Sequence, residues 1–519
     1  MRFAPELRPV PPRARTWLQR KPVDQVRQDI ASDGLKRALG PAHLMFMAVG
    51  TIIGAGIYVM TGTAAASYAG PGVMISFVLA GIACTFCGLC YAEMASTLPA
   101  AGSAYTYSYA TLGEVFAWIM GWLLVLEFGV AAAMVSTGWS GYLVSLLGDA
   151  GIAVPVGVST PLIAAAAGPG GAAEISIAGH LNLIAALPAL LATGVLVLGV
   201  SESAKVNNLI VFIKVSVLVV FVGFGVLHVR PGNWHPLIPP NEGGLAYGWP
   251  GVFRATSVIF VAYLGFETVS TAAAESRRPQ RDVPFAILGS LVICTLLYVA
   301  VAAVLTGLVP FRRLGVPDPL AVAVDVMHLP WLAELIKIGA VIGLLSVILV
   351  QTYSQTRVFF AMARDGLLPP VFARLHPRFR TPWIGTVMLG ASIALASALL
   401  PISILGDLVS LGTATAFAIV CMSVMFLRTT RPELPRPFGV PFGGVDLPIG
   451  KGRKVWIGIV PVCGVLCCLV LVGSLCADVL RRALHGSFFS AILLLSYALI
   501  GAAAYVLYGR RHSHLTRGL

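Results

Sequence analysis

Twelve apolar runs, each about long enough to cross a lipid bilayer, dominate this chain of 519 residues. Hydrocarbon about 30 Å thick needs about 20 helical residues to span it. The runs fall at about 42–65, 72–97, 115–146, 181–200, 206–228, 250–274, 283–308, 331–362, 384–400, 402–427, 455–476 and 486–508. Chain inside hydrocarbon must satisfy its own backbone hydrogen bonds, so these runs read as helices. Charged residues make up 11% of the sequence, against roughly 25% in soluble domains. The expected fold class is therefore an all-α integral membrane protein with 12 transmembrane helices. The runs at 384–400 and 402–427 follow one another with almost no loop, which predicts a tight hairpin.

Lys and Arg set the orientation. With both termini cytoplasmic, 27 of the 35 basic residues fall on the inner side and 5 on the outer, while Lys214, Arg254 and Lys337 lie in or at the ends of spans. The net charge of +13 is thus a mark of membrane orientation, and no basic cluster carries the interleaved aromatics of a nucleic-acid site. The chain divides into a basic cytoplasmic tail at 1–41, a core of spans 1–10 at 42–427, a cytoplasmic loop at 428–454, two further spans at 455–508 and a cytoplasmic tail at 509–519. The first apolar run starts near residue 42 and is too long for the apolar region of a cleavable signal peptide. The expected location is the plasma or bacterial inner membrane, with the lipid bilayer as the chain's surroundings and no nucleic-acid partner.

No catalytic constellation stands out, so an enzyme is not expected. Most of the nine histidines lie in loops and tails, without metal-ligand spacing. All nine cysteines fall in predicted spans. Cys84, Cys87 and Cys90 share a helical spacing, but a metal site needs a fourth ligand and a polar setting, so they read as small packing residues.

Two features inside the spans point to function. The first is "VGTIIGAGIYVM", Val49 to Met60, in the middle of span 1. A glycine in a helix interior costs about 1 kcal/mol relative to alanine. Gly50, Gly54 and Gly56 serve either close helix packing or a broken helix whose ends bind a solute. The second is "VIFVAYLGFETVSTAAAES" in span 6, where Gly265 is followed by Phe266 and the acidic Glu267. A carboxylate at that depth is costly and marks function. Spans 1 and 6 open two five-span units of opposite topology, and interrupted spans at matching positions of inverted halves point to a transporter binding site. Broken helices are therefore expected in both. A half-helix beginning after Gly56 presents free N–H groups to a carboxylate. The break in span 6 leaves carbonyls near Phe260 to Leu264 for an ammonium, and a site that holds both binds an α-amino acid. Between spans 2 and 3, "LPAAGSAYTYSYATLGE", Leu98 to Glu114, lacks any basic residue, and reads as chain packed into the protein rather than as a free loop.

"VGTIIGAGIYVMTG", "LPAAGSAYTYSYATLGE", "GWLLVLEFG", "GFETVSTAAAESRRPQRDVPFAI" and "TRVFFAMARDGLLP" occur in an order that resembles the amino acid–polyamine–organocation superfamily. Within it, the chain from about residue 35 to 510 resembles the cationic amino acid transporter family and its bacterial relatives. The resemblance implies a 5+5 inverted-repeat, LeuT-like core with broken helices 1 and 6, two extra spans, and alternating access around a central amino acid site. Carried onto this sequence, it implies that the substrate carboxylate meets the backbone of Ile53, Gly54, Ala55 and Gly56. The ammonium meets carbonyls at Phe260, Val261 and Leu264, and Tyr263 or Phe266 covers the occupied site. Arg357, Arg364 and Asp365 in the last motif are expected to fix a cytoplasmic loop.

Lys214 in "NNLIVFIKVSVLVVF" lies about 12 Å into span 5 at 1.5 Å per residue. It either snorkels to the interface or faces the core and exchanges a proton during the cycle. The resemblance favours the second: in proton-coupled bacterial members a span-5 lysine fills the place of the second sodium ion, so a sodium site is not expected and the proton is the coupling ion, with no other cofactor. Glu127, deep in span 3, is either a second protonatable group or a neutral acid that fixes spans by a hydrogen bond. Glu93 is expected to be structural or gating, and Glu275 to pair with Arg277 and Arg278. Leu345 in span 8 sits where cation-carrying members have a smaller residue. The substrate expected is a small or medium neutral L-amino acid taken up with protons; the alternative is uptake of arginine, lysine or ornithine, or amino acid exchange. An accessory subunit is left open.

Overall fold

The computed structural model describes residues 19–23, 25–26, 39–100, 102–167, 173–177, 180–198, 204–273, 276–316, 318–379, 381–448, 454–484 and 488–514. Most of the basic N-terminal tail, Glu275 and the last five residues lie outside them, so the expected pairing of Glu275 does too.

Among the described residues, nine stretches are helical, long and apolar enough to cross a membrane, and the chain is a multi-pass membrane protein. The first, Pro41–Thr97, holds three helices: α1 (Pro41–Ile52), α2 (56–69) and α3 (Val73–Thr97). The chain leaves α2 through Gly70, whose φ of +57° favours glycine, and Pro71 helps to start the next helix. Next come α4 (Ser103–Thr111), α5 (Glu114–Asp149), the shorter α6 (Leu183–Val197) and α7 (Ala204–Gly225). The sixth apolar run gives α8 (Gly248–Ile259), a 3-10 turn at Phe260–Tyr263 and the short α9 (Thr268–Thr271). Then follow α10 (Pro279–Leu308), α11 (Pro330–Arg364), α12 (Trp383–Leu399), α13 (Ile402–Thr430), α14 (Ile459–Leu484) and α15 (Phe489–Ala504). Each expected apolar run thus has a helical counterpart. The predicted hairpin is present, with Leu400 and Pro401 alone between α12 and α13.

Burial separates centre from rim. The most apolar part of Gly248–Thr271 is 94% buried, and that of Phe489–His512 is 6% buried. A helix that is apolar all round and buried is a central one, so the broken sixth run is the core and α15 faces outward. α1 packs on α7 and α10; α3 packs on α8, α10, α13 and α14; α5 and α7 both pack on α11.

Two features exceed the sequence reading. The 147–180 loop folds back as a hairpin of β1 (Ile163–Ala167) with β2 (Ala173–Ile177), and β3 (Gly444–Pro448) pairs with β4 (Lys454–Gly458) just before α14. The segment after α3 is α4, whose Tyr105, Tyr107 and Tyr109 are all buried, in line with packed chain rather than a free loop. Tyr105 Oη donates to Asp365 (2.7 Å), and Lys21 pairs with the same carboxylate at 3.0 Å. Asp365 therefore fastens α4 and the N-terminal segment to the end of α11. Glu93 accepts from Arg428 (2.8 Å) and from the backbone N–H of Val440 (2.7 Å), which ties the end of α3 to the 428–454 loop. Both acids hold loops in place, as a structural reading requires.

Candidate functional site

Both glycine-rich stretches interrupt their helices. α1 stops at Ile52, Ile53 is extended (ψ 90°), and helix resumes by Gly56. In the sixth run Leu264 is extended (ψ 135°) and Gly265 has a φ of +126°, a conformation that side chains other than glycine's rarely adopt. The two breaks touch. A Cβ on Gly265 would lie 2.6 Å from the Ile52 nitrogen, and one on Gly56 would overlap the Cα of Ala262. Gly54 differs, because its nearest neighbour is Val347 at 3.5 Å, an ordinary contact. Gly56 and Gly265 are thus required by backbone crossing, while a Cβ on Gly54 would meet only ordinary contacts. The Tyr298 hydroxyl spans the crossing, 2.7 Å from the Ile52 carbonyl and 3.0 Å from that of Ala262.

Each break carries one buried charged side chain. Lys214 reaches from α7 to the carbonyls of Gly50 (2.5 Å), Ile53 (2.9 Å) and Gly343 (3.3 Å). It does not snorkel: its side chain is fully buried. Gly343 keeps that path open, since a Cβ there would stand 3.3 Å from Lys214 Cδ. Glu267 serves the other break, where both carboxylate oxygens accept the Gly265 N–H at 2.9 and 2.8 Å. The ammonium therefore sits at the C-terminal end of α1 and the carboxylate at the N-terminal end of α9. Each sign complements the dipole of its helix end.

A cavity of about 20 Å³ lies where the breaks meet, room for about one water. Its walls are Thr51, Ile52, Gly54, Ala55 and Gly56 from the first break, and Val261 and Leu264 from the second. Ala131, Met134 and Val135 come from α5, and Val347 and Gln351 from α11. Thr51 spends its hydroxyl on the Met47 carbonyl (2.8 Å). Gln351 is the other side chain in the wall with a hydrogen-bonding group, and its buried Oε1 has no partner. Every remaining side chain in the wall is apolar.

The structure brings Gly54, Ala55, Gly56, Val261 and Leu264 to this cavity and leaves five expected residues outside its wall. Ile53 spends its carbonyl on Lys214. Phe260 packs on Phe417, with ring centroids 5.7 Å apart. Tyr263 turns away, donating to the Phe77 carbonyl at 2.8 Å. Phe266 lies between Tyr91 and Phe417. Neither aromatic covers the cavity in this conformation. Leu345 is part-exposed on another face of α11, and Val347 and Gln351 stand where it was expected. Gly343, Val347, Gln351 and Gln355 recur every four residues, one face of a helix. Two glutamines on one stripe of an apolar run were a readable signal for that face.

Glu127 sits in a wide turn of α5 at Val125–Val130, fully buried, and neither carboxyl oxygen has a partner. It lies within electrostatic reach of Glu267. α5 and α11 run antiparallel, pinned by Gly121 against Met362 and by Trp139 Nε1 donating to the Val341 carbonyl (2.9 Å). That register puts Glu127 level with Gln355, whose side-chain amide is also buried without a partner. The two mark a polar layer beside the cavity.

Comparisons with known proteins agree with one another. The family model described as "Amino acid permease" matches residues 39–507. The branched-chain amino acid permease BcaP of Bacillus subtilis is 40% identical over 495 residues, covering 95% of this chain and 97% of that protein. The methylthioribose transporter of the same organism is 38% identical, covering 96% of this chain and 99% of that protein. The vacuolar cationic amino acid transporter 4 of Arabidopsis thaliana is 35% identical, covering 80% of this chain and 68% of that protein.

Proposed function

The chain belongs to the amino acid permease family, and from that premise we propose that it takes up small or medium neutral L-amino acids, driven by protons. The observation that carries this reading is how the four helix ends at the breaks are used. Lys214 neutralises the end of α1 and Glu267 neutralises the start of α9. The start of α2, with positive dipole character, and the turn that follows α8, with negative character, both reach the cavity wall, through Gly56 and through Val261 and Leu264. A zwitterion matches that pair. Its carboxylate lies against the backbone of Gly54–Gly56, and its ammonium against carbonyls of the 260–264 turn. The apolar wall of Ile52, Met134, Val135 and Val347 favours an apolar side chain, as does the relative named for branched-chain amino acids.

The cavity is too small for an amino acid as it stands, so binding requires the walls to part. Alternating access between two five-span halves, in a twelve-span protein with both termini cytoplasmic, supplies that movement. Lys214 and Glu127 are the groups that exchange the coupling proton. The ammonium of Lys214 also occupies the carbonyl cage that a sodium ion would need. A second reading has an observation of its own: the unpartnered Oε1 of Gln351 suits a hydroxyl-bearing solute, such as the one for which the methylthioribose transporter is named.

One experiment ranks these readings. Ligands stabilise a folded protein by mass action, so the purified chain is melted with each common amino acid, ornithine and methylthioribose. Leucine, isoleucine or valine raising the melting temperature most supports the proposal. Methylthioribose alone doing so favours the second reading, and arginine, lysine or ornithine alone overturns the neutral-substrate assignment.

A further inference from the structure

Away from the cavity, four thiols from three helices meet in the bundle. Cys87 and Cys90 lie on α3, Cys421 on α13 and Cys468 on α14, and all four are fully buried. The sulfurs of Cys87 and Cys468 are 3.5 Å apart. Cys421 lies within hydrogen-bonding reach of both Cys87 and Cys90, which makes a continuous chain of sulfurs. Space is kept for it: a Cβ on Gly464, one turn before Cys468, would stand 2.7 Å from Cys421 Sγ. Packing alone asks only for small side chains. A row of thiols across three helices with adjacent sulfurs also offers redox chemistry.

We propose that Cys87 and Cys468 are an oxidation site for alkyl hydroperoxides, the oxidant class that partitions into a bilayer. One sulfur of the pair attacks the peroxide, the O–O bond breaks, an alcohol leaves, and a sulfenic acid forms. The second thiol attacks that sulfur, the S–S bond forms, and water leaves. Two thiols and one hydroperoxide give one disulfide, one alcohol and one water, so the thiols lose two electrons and the peroxide gains them. The sulfurs must close from 3.5 Å to about 2.05 Å.

The bond staples α3 to α14. α3 also packs on α8 and α10, which carry the second break and Tyr298. A staple there holds α3 at one position against the rim of the molecule and stops any cycle in which the two slide. This consequence rests on the proposed alternating access; the disulfide itself does not.

The test uses the full chain reconstituted in liposomes and treated with cumene hydroperoxide, with two readouts. Free thiols are counted under denaturing conditions with a maleimide mass tag. The wild type is expected to lose two of its nine, while Cys87→Ala and Cys468→Ala each keep all of theirs. A wild type that keeps nine, or either variant losing two, overturns the site. Substrate uptake is measured in parallel. It is expected to fall in oxidised wild type, to recover with dithiothreitol, and to resist peroxide in both variants. Undiminished uptake by protein that has lost the two thiols overturns the staple and leaves the oxidation site standing.

Discussion

The two helix breaks solve the same problem with opposite charges and from different distances. At the first, the exposed carbonyls of Gly50 and Ile53 are met by an ammonium from another helix, Lys214 on α7. At the second, the exposed N–H of Gly265 is met by a carboxylate two residues along its own chain. The second break is therefore a local device, formed whenever that turn forms. The first is a tertiary one, since it exists only when α7 and α11 are docked around it. A proton removed from Lys214 would loosen three helices at once, whereas a change at Glu267 alters one turn. The break held from a distance is the one suited to coupling a proton to a movement.

Lys214→Ala gives the largest expected effect. It leaves carbonyls in the core without their donor, at about 3 kcal/mol for hydrogen bonds to a charged group. It also removes the proposed coupling group. The melting temperature should fall clearly, and uptake driven by a pH gradient should no longer run uphill. Intact accumulation at normal protein levels would break the comparison.

Gly56→Leu comes next. The added side chain must enter the space held by Ala262, so ligand-dependent stabilisation should disappear in the melting assay. Gly54→Ala is its control. Its Cβ meets Val347 at an ordinary 3.5 Å, so the fold should hold while ligand affinity drops. Equal outcomes for the two would mean that crossing of the backbones at Gly56 does not shape the site.

Glu267→Gln should cost less, about 1 kcal/mol, because the amide oxygen still accepts the Gly265 N–H and only the charge at the helix end is lost. A loss as large as that of Lys214→Ala would show that the second break is not a local device.

How much of this was legible in the sequence follows from the same division. The breaks were readable because glycines and an acid inside apolar runs are local signals, and Gly54, Ala55, Gly56, Val261 and Leu264 do line the cavity. The limits of most apolar runs fall within a few residues of helix ends, as in 206–228 for α7 and 283–308 for α10. What failed was direction. Whether Tyr263, Phe266 or Leu345 faces the cavity depends on the rotation of each helix against neighbours far away in sequence, and Phe417 and Phe77 hold the two aromatics elsewhere. Apolar runs carry little information about rotation when a helix is buried all round. The glutamine stripe on α11 is the exception, and it is polar.

Glu127 sharpens the comparison, with the smallest expected effect on stability. Lys214 has partners on several sides, and Glu127 has none on either oxygen. A carboxylate left so would be costly to bury, and a protonated acid costs far less. Glu127→Gln copies the protonated form, so the melting temperature should move little. What it removes is the ability to lose the proton. If Glu127 joins Lys214 in coupling, uptake by the variant should lose part of its dependence on pH while substrate-induced stabilisation stays. An unchanged pH profile would assign the coupling to Lys214 alone and leave Glu127 as a neutral acid beside Gln355. Glu127→Leu removes the acid altogether: with no partner on either oxygen to lose, it should melt no lower than the glutamine variant, and a clear drop would mean that the acid helps to hold α5 in place.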